Sequence, residues 1–67
     1  MRRIEIRDRV VFVRTPETLQ HHVFGPDRGV VTAISHPVPG LYPGHAWVLW
    51  SNGLHSKVPY DTLRLDV

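Results

Sequence analysis

The stretch that decides the fold is residues 45–58, HAWVLWSNGLHSKV. His45 to Ser51 holds two tryptophans and Val48 in an apolar run, the composition of a strand. Asn52-Gly53 follows, and both residue types tolerate the positive φ of a hairpin turn. Leu54 to Val58 reads as the return strand. Two bends fit these residues. A two-residue loop, Asn52-Gly53, sets Trp50 opposite His55 and Val48 opposite Lys57. A three-residue loop, Ser51-Asn52-Gly53 with Gly53 as a G1 bulge, sets Trp50 opposite Leu54, Val48 opposite Ser56 and Ala46 opposite Val58. One face must be buried, and a slip of one residue moves every side chain to the other face. The three-residue bend sorts polar from apolar better. It predicts Ala46, Val48, Trp50, Leu54 and Val58 inside, with Trp47, Leu49, His55 and Lys57 outside.

Working outward, Pro59-Tyr60-Asp61-Thr62 suits a tight 3₁₀ turn, and Leu63-Arg64-Leu65-Asp66-Val67 alternates as a closing strand does. Upstream, residues 36–44 (HPVPGLYPG) hold three prolines and two glycines, so they form a loop or an irregular edge. Val30 to Ser35 reads as a strand after a turn at Asp27-Arg28-Gly29. Near the start, Ile4 to Arg7 alternates, Asp8 marks a bend, and residues 9–14 read as a strand. The stretch 15–27 admits two readings. Thr15-Pro16-Glu17 is a helix-start signal, Leu19 and Val23 sit four apart, and Gly25-Pro26 would stop a short helix over 16–22. The other reading is a long irregular loop between strands. Five short strands in one small domain, residues 1–67, need their edges closed. The expectation is an all-β, five-stranded barrel, closed or nearly so.

Composition narrows the function classes. The chain has 67 residues, no cysteine and a formal net charge of +2. A domain of this size buries only about 60% of the surface its unfolded chain exposes. Disulfides and thiolate metal sites are excluded. The longest apolar run, Ala46 to Trp50, is far short of the roughly 20 residues that span a bilayer. No apolar leader follows Met1, so a soluble cytoplasmic protein without membrane contact is expected. The pI near 9.7 reflects arginine content rather than a strong field. Its distribution matters more: Arg2, Arg3, Arg7, Arg9 and Arg14 crowd the first fourteen residues, against Glu5 and Asp8.

The pattern resembles the SH3-like barrel group, the bacterial and phage relatives of Tudor and KOW domains. The pieces that carry the resemblance are Arg7-Asp8-Arg9-Val10-Val11, the strand Arg28 to Ile34, the hairpin Val48 to Gly53, and the tail Val58 to Leu63. Together they hold 24 of the 67 residues, spread from Arg7 to Leu63. The resemblance implies a fold and a binding module for nucleic acid, peptides or modified side chains, seldom catalysis. One catalytic member of similar length, the plasmid-type dihydrofolate reductase, lines a tetrameric pore with a Val-Gln-Ile-Tyr strand. Here the comparable residues are Ser56-Lys57-Val58-Pro59-Tyr60, without glutamine, so the residues for that activity are missing.

Other chemistry finds little support. His21, His22, His36, His45 and His55 show no metal-ligand spacing, so no metal and no cofactor is expected. Neither a nucleophile elbow nor a phosphate-binding glycine loop is present, and a non-enzyme is expected. The leading expectation is nucleic acid contacted by Arg7, Arg9, Arg14, Lys57 and an outward Trp47, since arginine binds phosphate and indole stacks on bases. The same arginines would equally suit a solvated strand face. The alternative is a protein–protein adaptor or self-associating subunit, using Tyr42, Trp47, Leu49 and Tyr60. Trp47 would then fill an interface; a third reading has it capping one end of the barrel.

Overall fold

The hairpin forms in the three-residue register. A computed structural model describes residues 3–22 and 25–67. It contains strands β1 (Arg9–Phe12), β2 (Arg28–Ser35), β3 (His45–Trp50), β4 (His55–Pro59) and β5 (Leu63–Leu65). Across the hairpin Ala46 faces Val58, Trp47 faces Lys57, Val48 faces Ser56 and Leu49 faces His55. Gly53 closes the bend at φ +90°, a conformation that costs glycine nothing because it has no Cβ. Its N–H donates to the Trp50 carbonyl at 2.9 Å, and the Trp50 N–H donates to the Leu54 carbonyl at 2.7 Å.

The strands form one antiparallel sheet in the order β4-β3-β2-β1-β5. Strand β1 sits between β2 and β5, which brings the first and last strands together. Barrel closure is not seen among the described residues: β4 and β5 end the order, and no ladder joins them. A 3₁₀ turn, Tyr60–Thr62, carries the chain directly from one edge to the other. Strand β5 has three residues, and its pairing is with β1.

One face of the sheet holds the core: Val10 and Phe12 of β1, Val31 of β2, Ala46, Val48 and Trp50 of β3, Val58 of β4 and Leu63 of β5, with Ile4 alongside. Burying each large side chain is worth about 1.5–3 kcal/mol. Trp50 is the centre. The His22 ring stacks on it with centroids 4.0 Å apart, Phe12 meets it edge-on at 6.2 Å, and its indole N–H donates to Ser56 Oγ at 2.7 Å. Polar contacts fasten the surrounding loops. The Ile4 N–H donates to the Tyr60 hydroxyl at 3.0 Å, and His36 Nε2 lies 2.9 Å from the Ile4 carbonyl.

Several expectations are corrected. Leu54 was expected in the core but is 51% exposed although its partner Trp50 is buried; it stands beside the bend, before the first residue of the edge strand β4, and its Cδ1 lies near Gly25. Residues 28 and 29 belong to β2 rather than to a turn. Of the two readings of residues 15–27, the short helix over 16–22 is present only as a 3₁₀ turn, Leu19–His21, with Leu19 exposed; Val23 lies outside the described residues. The alternation of Ile4 to Arg7 does not make a strand. Glu5 to Asp8 is a turn in which Arg7 takes φ +76°, so Ile4 is buried while Ile6 is exposed.

Gly29 pairs with Trp50 on one side and Val10 on the other. A Cβ there would stand 2.6 Å from Val48 Cγ1 and 2.7 Å from the Leu49 carbonyl oxygen. The carbonyl belongs to a central strand and does not yield. Gly29→Ala is therefore expected to cost about 1–3 kcal/mol as overpacking, read as a lower urea midpoint. An unchanged midpoint would contradict this packing.

Candidate functional site

The opposite face of the sheet turns outward, and strand pairing arranges it in rows. The central row runs His55, Leu49, Val30, Arg9 across β4, β3, β2 and β1. Asp66 ends it, because the Asp66 N–H donates to the Arg9 carbonyl at 2.9 Å. On one side lies the row Lys57, Trp47, Ala33. On the other lies Arg28, Val11, Arg64. Period-two geometry produces this, since every second residue of a strand points the same way.

Two environments share this face. The first is aromatic. Trp47 is 43% exposed, with Val30 and Leu49 also exposed beside it. The His55 ring lies 5.5 Å from the Trp47 ring, held by a 2.6 Å hydrogen bond between His55 Nε2 and Thr32 Oγ1. Thr32 reaches this position through a β-bulge between Val31 and Ala33, which adds one residue to β2 opposite β3. The second environment is cationic. Arg9, Arg28 and Arg64 are all exposed. Asp66 approaches Arg28, with Oδ2 3.7 Å from Nε. Among the described residues no carboxylate lies within ion-pair distance of Arg9 or Arg64. Shallow depressions of about 370 Å³ and 500 Å³ flank Arg28 and Asp66, and both residues line both of them.

The structure brings some of the expected site residues together and separates others. Trp47, Leu49, Lys57 and Arg9 share the outer face. Taking strands about 4.8 Å apart and a rise of about 3.3 Å per residue, Arg9 and Trp47 sit roughly 12 Å apart. Arg7 is exposed on the turn before β1, its N–H donating to the Val31 carbonyl at 2.7 Å. Arg14 is committed elsewhere. Its guanidinium pairs with Asp27, donates to the His22 carbonyl at 2.9 Å and lies 5.6 Å from the centre of the Phe12 ring. Tyr42 lies off the sheet on the proline-rich loop, its hydroxyl 3.3 Å from His45 Nδ1. Tyr60 is half-buried with its hydroxyl engaged by Ile4. Arg28, Arg64, Asp66, Val30 and Thr32 join the face without having been singled out from the sequence. For Arg64 and Asp66 the signal existed, because they are the polar positions of an alternating strand.

Among the described residues no three His, Asp or Glu side chains converge as a metal site would need, and no helix is long and apolar enough to cross a membrane. Comparison with protein-family models, curated proteins and solved structures finds no match to this chain.

The hydrogen bond from Arg14 holds the Asp27 carboxyl below the usual carboxylate range. A carboxyl lowered on folding adds stability above its unfolded pKa and loses it as pH falls through the folded one. Asp27→Asn is therefore expected to destabilise the protein at neutral pH, and the gap from wild type should close below about pH 4. Thermal melts at a series of pH values check this. A gap that stays constant into acid would show that the pair contributes nothing.

Proposed function

We propose that this chain is a non-enzymatic binding module of the SH3-like class that takes single-stranded nucleic acid across the outer face of its sheet. The strand order β4-β3-β2-β1-β5 and the 3₁₀ turn between β4 and β5 support the fold class. The observation that carries the function is an exposed indole, Trp47, opposite Lys57 and on the same face as Arg9, Arg28 and Arg64, with Asp66 the one acid among them. A single strand offers both ligands such a face needs: phosphates for the guanidinium groups and unstacked bases for the indole. The Thr32–His55 pair is a weak basis for catalysis. The imidazole meets a hydroxyl and the Trp47 ring, and among the described residues no carboxylate is seen to orient it as a nucleophile's base requires.

A second reading keeps one specific support. Val30, Trp47 and Leu49 are adjacent in the sheet and all exposed, as at a protein–protein or subunit contact. The two readings separate by salt.

Binding of a fluorescein-labelled thymidine dodecamer, followed by fluorescence anisotropy, is expected to weaken steeply with salt. Four cationic contacts on a single strand give a log–log slope of about −3, or about 50-fold between 50 and 200 mM salt. Trp47→Ala should weaken binding by about 1–3 kcal/mol. Equal affinity at the two salt concentrations removes the nucleic-acid reading. A change in oligomeric state on Trp47→Ala, with no oligonucleotide binding, favours the second.

A further inference from the structure

We propose that Asp66 stands in for a nucleic-acid phosphate at Arg28, and that a phosphodiester displaces it there and bridges Arg28 and Arg64 when a strand binds. The inference rests on the reading of this face as a nucleic-acid surface and adds where the strand's backbone is gripped.

Register supplies the bracket. Val11 pairs with Arg28 on one side and with Arg64 on the other. The two arginines therefore stand two strand spacings apart, about 10 Å between Cα atoms, with an apolar residue as the floor between them. A depression of about 500 Å³ is lined by Val11, Arg28, Arg64 and Asp66. Guanidinium groups suit this arrangement because each presents a planar fork of donors to tetrahedral oxygens.

The internal carboxylate is held loosely. Arg28 Nε and Asp66 Oδ2 are 3.7 Å apart, beyond hydrogen-bond distance, and the Arg28 side chain is 75% exposed. An exposed contact of this kind adds little stability. The contrast with Arg14 is direct, since that guanidinium reaches Asp27 through several hydrogen bonds, one of 3.1 Å from Nε. Among the described residues Asp66 lies within ion-pair distance of Arg28 alone of the three outer arginines, so it leaves Arg9 and Arg64 unneutralised. A phosphodiester brings a second anion that Arg64 and Arg9 have no local partner to supply. Asp66 then acts as a competitor that sets how tightly the bracket closes on a ligand.

The test measures dodecamer affinity for wild type, Asp66→Asn, Arg28→Ala and the double variant. Asp61→Asn is the control, because it adds the same unit of charge from an exposed position on the 3₁₀ turn. Removing the competitor is expected to tighten binding about threefold to fivefold, more than the control does. That gain should vanish in the Arg28→Ala background, where the paired arginine is gone. Arg64→Ala should weaken binding and make the salt slope shallower by about 0.7. If Asp66→Asn gains no more than Asp61→Asn, or gains equally without Arg28, the bracket is overturned while the nucleic-acid reading stands. If no protein in the series binds the dodecamer at low salt, both are overturned.

Discussion

The bend at Ser51-Asn52-Gly53 fixes which tryptophan is buried, and the rest of the molecule follows from that choice. Trp47 and Trp50 are three residues apart on β3, an odd spacing, so a period-two strand must place them on opposite faces. No register puts both inside; the bend decides which one enters. With Gly53 left-handed and Trp50 bonded to Leu54, the inner face receives Ala46, Val48, Trp50 and Val58, all buried. A slip of one residue would turn Trp47 and Leu49 inward with His55 or Lys57 among their neighbours. Burying an unpaired ammonium group in so small a core costs far more than the core returns.

Once Trp50 is inside, it must be covered, and the covering is what ties down the long β1–β2 connection. His22 stacks on the indole and donates its Nε2–H to the Pro26 carbonyl at 2.7 Å. Arg14 then reaches the His22 carbonyl and Asp27 together, spanning the base of the loop. The same logic holds at the other end of the core, where Tyr60 and His36 hold Ile4 from both its N–H and its carbonyl. A chain with little apolar area to bury thus uses side chain to backbone hydrogen bonds to close its loops, each worth about 1 kcal/mol. Those commitments also divide the arginines. Arg14 serves the fold, while Arg9, Arg28 and Arg64 remain on the outer face.

What was legible in the sequence was whatever local chemistry decides. The hairpin register, the outward Trp47 and Leu49 and the 3₁₀ turn before β5 all follow from turn residues and alternation over a few positions. Most failures share one cause, contacts between residues distant in sequence; the turn over Glu5 to Asp8, held by local hydrogen bonds, is the exception. Leu54 matches the inward pattern, yet it stands at the open edge of the sheet and is exposed. His22 has no local signal for burial; only Trp50, far along the chain, makes it a core residue. Arg14 looks like part of a basic run until Asp27, thirteen residues on, pairs with it. Arg28 was hidden because Asp27-Arg28-Gly29 has turn composition, and Gly29 serves close packing against β3 instead. The cationic row exists only because β5 returns beside β1, a topological fact that no window of sequence contains.

That topology explains how a chain with a formal net charge of +2 presents a strongly one-sided face. The acids are largely drawn to other tasks: Asp27 pairs with Arg14, and Glu5 with Arg3 and His36. Asp66 alone stands among the outer arginines. The resulting excess is local, and at physiological salt its field decays over about 8 Å, less than the spacing between Arg9 and Trp47. Such a face acts by contact rather than by steering from afar. It therefore favours, on the proposed reading, a flexible ligand that can lay charge on the arginine row and an aromatic surface on Trp47 at once. A stiff duplex keeps its bases stacked and offers the indole nothing, so the separation between the two environments itself argues for a single strand.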